Sequence, residues 1–177
     1  MNGLSLVTPS KALEEKILEY RQEYFYFEED NINGSCGLAR YSDFDEWLNI
    51  VLSIKQDQLR HNVHASTFLS VRKSDGRIIG TVQLRHFLTD DLKKHGGQIG
   101  YGIRPSERKK GYGKDQLLLV LEVAKEMNIP RVVIICDKDN IASIRTVMTC
   151  GGILAEENFF EGIEQQVYWI TITNKQS

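Results

Sequence analysis

Residues 104–116 read RPSERKKGYGKDQ, a stretch with five basic side chains and two glycines in a chain whose net charge is only −2. The run follows GQIGYGIR (97–104), which has the length and composition of a strand. It precedes Leu117, Val120, Leu121 and Ala124, whose spacing predicts a helix from Gly111 to Met127. The first turn of such a helix leaves backbone N–H groups without partners and carries the positive end of the helix dipole. That end suits a phosphate, and Gly111 and Gly113 let the backbone approach a bulky anion. The competing reading is a basic turn that is merely solvated.

Upstream, LSLV (4–7) reads as a short strand, and Ser10 is placed to cap a helix carrying Leu13, Ile17, Tyr20 and Tyr24. NINGSCGLAR (31–40) is a loop. Ser42 or Asp43 caps a second helix that runs to about Arg60, with Phe44, Trp47, Leu48, Val51 and Leu52 on one side. STFLSVRK and RIIGTVQLRHFL, separated by Ser74, Asp75 and Gly76, read as a hairpin. TDDLKKHGG (89–97) is a polar excursion before the strand that leads into the basic turn. Downstream, RVVIIC (131–136) is apolar throughout, as a strand buried on both faces would be. DKDNIASIRTVMTCGG then fits a loop, a short helix and a glycine stop. Two strands follow, at about 153–160 and 165–173. The expected order is β-α-α-β-β-β-α-β-α-β-β, a mixed α/β (α+β) sheet structure in one domain over residues 1–177.

Bulk properties exclude several classes. The chain is 41% hydrophobic and 26% charged, ordinary for a globular protein. Weak net charge argues against nucleic acid as the main partner. No apolar run approaches the roughly 20 residues that span a bilayer, and the first residues lack a signal-peptide pattern. Cys36, Cys136 and Cys150 form no CxxC or Cys/His cluster, so neither a disulfide framework nor a metal site is expected, and a reducing cytoplasm fits.

Familiar phosphate loops do not match. There is no GxxxxGK[ST], and Gly111-x-Gly113 is not followed by the third glycine of a dinucleotide fingerprint. What remains is Arg108-x-x-Gly111-x-Gly113 opening an amphipathic helix. That string, followed by an apolar strand, Asn140 with Ser143 and then Gly151-Gly152, resembles the acyl-CoA pyrophosphate loop of the GNAT superfamily of N-acetyltransferases, and the element order matches that fold over nearly the whole chain.

The resemblance implies that acetyl-CoA is the cosubstrate, with no metal. Its pyrophosphate would lie on the backbone N–H groups of Arg108, Lys109, Lys110, Gly111, Tyr112, Gly113 and Lys114, and its pantetheine arm along Ile103 and its neighbours. The Ile103 N–H would also serve as oxyanion donor, and Asn140 with Ser143 would contact the cofactor. Asn140 is equally a good helix N-cap. The sequence departs from the family pattern twice. Gln98 stands where many members carry a glutamate base, and Val147 where many carry a tyrosine acid.

Amine attack on a thioester needs a base more than an acid. Neutralising an alkyl ammonium at pH 7 costs about 4–5 kcal/mol, whereas a thiol leaves as thiolate for about 2 kcal/mol. Candidate replacement bases are His86 at a strand end and Glu28, with Glu29 and Asp30, at the end of the first helix, where acid opposes the dipole. Tyr101 sits in the key strand, while His61, His64 and His95 read as surface. The expected activity is acetyl transfer to a primary amine of a small molecule or peptide, by direct attack in a ternary complex. The rival is an acyl-CoA-binding sensor of the same fold without turnover. The family's habit of pairing its last strands between subunits would allow a homodimer. Acidic residues at 28–30 and 156–157 point weakly to a cationic acceptor.

Overall fold

The computed structural model describes residues 3–55 and 64–172. Seven strands and five helices follow in the order β1 (Leu4–Val7), α1 (Glu14–Tyr26), α2 (Phe44–Lys55), β2 (Ala65–Arg72), β3 (Ile78–Arg85), α3 (Asp90–Lys94), β4 (Ile99–Ile103), α4 (Tyr112–Glu126), β5 (Arg131–Asp137), α5 (Ile141–Thr149), β6 (Ile153–Phe160) and β7 (Ile163–Thr171). The expected order is therefore present, with one addition, the short α3. Its sequence carries no apolar period to reveal it. Instead Thr89 caps it by accepting from the Leu92 N–H at 3.2 Å, and Asp90, Asp91, Lys93 and Lys94 complement its dipole.

The start of α1 also differs from expectation. Ser10 makes no capping bond, and a 3-10 turn at Lys11–Leu13 leads into the helix instead. The α2 cap is Asp43, whose Oδ1 accepts from the N–H groups of Asp45 and Glu46 at 2.7 and 3.3 Å. The expected continuation of this helix to Arg60 lies outside the described residues, as does His61.

The strands form two sheets, β1-β2-β3-β4 and β5-β7-β6, all pairs antiparallel. Strand alternation decides which helix each side chain meets. Val82 and Leu84 of β3 join Leu117, Val120 and Ala124 of α4 in one core that extends to Val132, Ile134 and Val147. Thr81 points the other way, to Tyr20 of α1 at 3.2 Å and to the Asn33 carbonyl at 2.9 Å. A second core lies on that side, where Ile17, Tyr20 and Tyr24 pack with Trp47, Leu48, Val51 and Leu69. The first sheet is thus covered by α4 on one face and by α1 and α2 on the other.

The loop from α1 to α2 crosses directly over β4 at Gly34. This glycine has φ +75°, and a Cβ there would lie 2.5 Å from the Gly100 carbonyl oxygen and 2.8 Å from that of Thr81. Both obstacles are backbone, so neither can swing aside. Gly34→Ala is expected to cost about 3 kcal/mol or more, read as a fall in Tm of roughly 6–12 °C in a melt of this size of domain. A variant that melts within about a degree of the parent would contradict this close approach.

Candidate active site

Among the described residues a single backbone hydrogen bond joins the two sheets, from the Gln98 N–H to the Val133 carbonyl at 2.7 Å. Beyond it β4 pairs only with β3, and β5 only with β7. The ladder shows which way the β4 amides face. Arg85 donates to the Gln98 carbonyl and Arg104 donates to the Ile79 carbonyl, at 2.9 and 2.8 Å. In an antiparallel pair the bonded residues alternate. Even-numbered residues of β4 therefore turn toward β3, and the N–H groups of Tyr101 and Ile103 turn away from it, to the side where β5 has departed. Sequence reasoning named Ile103; the alternation adds Tyr101 as a second donor on the same edge.

Side chains, not backbone, bridge the split. The Tyr101 hydroxyl lies 3.0 Å from Ser143 Oγ, which is 3.2 Å from Cys136 Sγ. Burial drives the Tyr101 phenol well above its ordinary pKa, outweighing the Ser143 bond that lowers it. It stays neutral at pH 7. Burial likewise raises the Cys136 thiol. The Asn140 side chain accepts from the Ser143 N–H at 3.1 Å, so the N-cap reading of Asn140 holds and fixes the first turn of α5 beside the split.

The basic turn sits at the end of β4. Gly111 is the α4 N-cap in the left-handed region, φ +86°, and Lys109 is also left-handed at +61°. The N-terminus of α4 is thereby aimed at the same end of the split, with Ile103 Cγ1 3.9 Å from where a Gly113 Cβ would be. The charge of the turn has other uses than the sequence suggested. Arg104, 1% exposed, is held by Glu23 at 2.7 Å, Glu19 at 2.9 Å and the Ile78 carbonyl at 3.1 Å. Arg108 grips both oxygens of Glu29 and donates to the Ile103 carbonyl at 3.0 Å. Lys110 pairs with the buried Glu107, which also meets Arg72 and Arg77. Lys109 and Lys114 alone carry the turn's charge without a carboxylate partner among the described residues.

The side chains of Arg108 and Lys110 thus serve the turn's own architecture, which leaves the backbone role expected of these residues as it was. Glu19 and Glu23, the partners of Arg104, went unnoticed in the sequence. Their signal was two carboxylates four apart on one face of α1.

The candidate bases fare differently. His86 continues β3 six residues past Gly80, the partner of Ile103, which places it about 20 Å along the strand from Ile103. There its Nε2 lies 2.8 Å from Ser66 Oγ, and burial lowers its pKa. It does not reach the split. Glu28 lies just past the C-terminus of α1 with φ +61°, exposed, next to the Glu29 that Arg108 ties to the end of β4. The acidic run at the end of α1 is therefore at the right end of the molecule, with Glu29 already engaged. Gln98 is 2% exposed with its Oε1 unpartnered. Val147 is fully buried in the core against Gly152, so a tyrosine acid would have to displace packed side chains there. His95 stacks on Phe160, centroids 3.7 Å apart, and ties the α3 segment to the last hairpin. His64 packs near His86 and Phe87.

The family model for the acetyltransferase (GNAT) domain matches residues 44–153. The uncharacterized N-acetyltransferase YnaD of Bacillus subtilis is 27% identical over 99 residues, and the match covers 55% of either chain, so this chain spans about half the length of that relative. The fold is similar to that of the ribosomal-protein-S5-alanine acetyltransferase of Vibrio fischeri, with TM-score 0.75 and 13% identity over 100% of this chain and 97% of that one. It is also similar to the microcin C7 self-immunity acetyltransferase MccE, solved with acetyl-CoA and AMP, with TM-score 0.70 and 17% identity over 97% and 94% of the two chains.

The ion pairs that seat the turn should register in acid. Burial works to raise the Glu23 carboxyl, but the Ser106 amide and hydroxyl and the Arg104 guanidinium outweigh it and hold its pKa below 4.5. A depressed folded-state pKa adds stability above the unfolded value and loses it as pH falls through the folded value. Thermal melts should therefore show wild-type stability declining below pH 4.5. Glu23→Gln, which leaves a buried guanidinium short of a partner, should start about 3 kcal/mol lower and decline less steeply. Parallel acid limbs in the two proteins would rule out Glu23 as a source of the decline.

Proposed function

Because this chain belongs to the GNAT acetyltransferase family, we propose that it is an acyl-CoA-dependent N-acetyltransferase that moves an acetyl group from acetyl-CoA to a primary amine by direct attack in a ternary complex. The observation that carries this reading is the pair of amides, Tyr101 and Ile103, turned to the open edge of β4 beside the N-terminus of α4.

The residues present fit such a cosubstrate. An extended arm with amide groups can pair with the open edge of β4 as an added strand would. A pyrophosphate at its far end would meet the N–H groups of 111–114 and the side chains of Lys109 and Lys114. Acetyl-CoA would supply the activated thioester; the chain supplies position and dipoles. An amide on the β4 edge donates to the carbonyl oxygen as negative charge develops there, and it is held by the ladder before reaction begins. Tyr101 and Ser143 flank that edge with neutral hydroxyls.

Gln98 cannot take the amine's proton. Glu28 is the base in this reading, taking the proton directly or through water, and its support is its place beside the Glu29 that Arg108 ties to the end of β4. The alternative reading, a sensor that binds acyl-CoA without turnover, draws support from the same glutamine. The chain itself need not provide a thiol acid, because thiolate departure at pH 7 is the cheaper proton transfer, at about 2 kcal/mol.

Two measurements test the proposal. Thiol release from acetyl-CoA should rise above background hydrolysis when a panel of primary amines is supplied. Tight acetyl-CoA binding with no amine raising that rate would favour the sensor. Replacing Lys109 or Lys114 with alanine should weaken acetyl-CoA binding several-fold and flatten its salt dependence, whereas Lys110→Ala, already paired to Glu107, should do less. Equal effects from all three lysines would remove the distinction between paired and unpaired charge.

A further inference from the structure

A cavity of about 480 Å³ lies between α2, the α1–α2 loop, and β2 and β3, inside the roughly 300–1,000 Å³ range of small-molecule sites. It is separate from the open edge of β4. Residues 33–34 of the α1–α2 loop pack on β4 between the two. A Cβ on Gly34 would lie 2.5 Å from the Gly100 carbonyl oxygen, and one on Gly102 would lie 2.9 Å from that of Asn33. A molecule in the cavity is screened from the β4 edge by this loop.

The lining consists of side chains that the fold does not use elsewhere. Ile50 and Ile54, one turn apart on α2, and Leu92 of α3 are half-buried and belong to neither core. α2 packs on the sheet through Phe44, Trp47, Leu48 and Val51 instead. The cationic part comes from Arg85 of β3 and Arg40 of the α1–α2 loop, and no Asp or Glu is among the described residues of the lining. Arg85 is half-buried, with Nη1 donating to the carbonyls of Gly96 and Gly97 at 3.0 and 2.8 Å. No hydrogen bond among the described residues engages its Nε or Nη2. Burial lowers its pKa, opposed only by the Cys36 thiol. Arg104, on the same sheet, has two carboxylates. A guanidinium drawn out of water without a counter-charge is costly, and an anionic ligand offsets that cost.

We infer that the cavity is a second ligand site, distinct from the acetyl-transfer site, for a small carboxylic acid with an apolar body. The carboxylate sits on Arg85 and Arg40, and the body lies against Ile50, Ile54 and Leu92. A carboxylate suits Arg85 because the two glycine carbonyls occupy Nη1 and leave the Nε–Nη2 edge, whose parallel donors match two oxygens. The half-buried isoleucines gain when an apolar body displaces water from them. Nothing in this inference depends on acetyl transfer, because neither the split nor the basic turn contributes to the lining.

Calorimetric titration of the whole chain tests it, with 4-phenylbutanoate, its primary amide, 4-phenylbutylamine, 3-phenylpropyl phosphate and acetate as probes. 4-Phenylbutanoate should bind about tenfold more tightly than its amide, the size of a charge-assisted bond. Acetate, which lacks the apolar body, should bind weaker than 4-phenylbutanoate by about tenfold or more. Arg85→Gln and Arg40→Gln should each bring the carboxylate down toward the amide, and Arg85→Lys should keep part of the difference. Arg85 also braces the start of β4, since its N–H bonds the Gln98 carbonyl and its side chain holds Gly96 and Gly97. Arg40 is exposed, and its side chain makes no hydrogen bond or ion pair among the described residues. Its variant therefore decides the matter if Arg85→Gln disturbs the turn. Saturating acetyl-CoA should leave the carboxylate bound. No binding of the carboxylate, an amide or amine that matches it, a phosphate that surpasses it, unchanged affinity in Arg40→Gln, or full displacement by acetyl-CoA would each overturn the proposal.

Discussion

Two sheets that, among the described residues, meet at one backbone hydrogen bond set the terms for the rest of this molecule. The Gln98–Val133 bond is possible because Gly97 lets the chains touch: a Cβ at Gly97 would sit 3.0 Å from the Val133 oxygen and 3.2 Å from the Ile135 nitrogen. After that contact β4 stays paired with β3, and β5, paired with β7 along its whole length, makes no further backbone bond to β4 among the described residues. An edge of N–H groups is left with no strand to pair with, and such groups are costly to bury without a partner. The fold retains this edge because α5, through Ser143, and α4, through its left-handed Gly111, frame it on two sides. A ligand with its own amides is the natural complement to such an edge.

The electrostatics sort into three kinds of cation. Arg104 is buried and fully matched, with Glu19 and Glu23 on α1, and so welds that helix to the end of β4. Arg108 and Lys110 are matched at the surface, where each pair contributes about 1 kcal/mol or less but restricts the turn's geometry. Lys109 and Lys114 at the turn, and Arg85 in the cavity on the other face, lack carboxylate partners among the described residues. Positive charge that the fold does not use for itself is the charge available to ligands.

Much of this was legible in the chain. Apolar spacing in α1, α2 and α4 placed the helices because each buries one stripe, and Ile17, Tyr20, Tyr24, Trp47, Leu117 and Val120 are indeed buried. Arg108-x-x-Gly111-x-Gly113 marked the turn, since only glycine takes the left-handed cap without strain. Asn140 was readable as a cap because its partner, Ser143, is three residues away. Local rules failed where the partner was distant or the element was short. Ser10 lost its cap to a 3-10 turn, α3 is too brief to show a period, and His86 was named for its strand-end place and imidazole chemistry, neither of which tells how β3 registers against β4.

The sequence by itself determined the element order, the glycine turn and the family it resembles, because these depend on contacts between residues a few positions apart. Tertiary structure decided which charges are spent. Glu23 and Arg104 are 81 residues apart and Glu29 and Arg108 are 79 apart, so no spacing rule could pair them. It also decided that Val147 is core, that His86 is remote, and that Arg85 faces a cavity with no carboxylate among the described residues beside it. Each of those follows from how β3 and β4 register against each other and which helix covers each face, and long-range packing alone sets both.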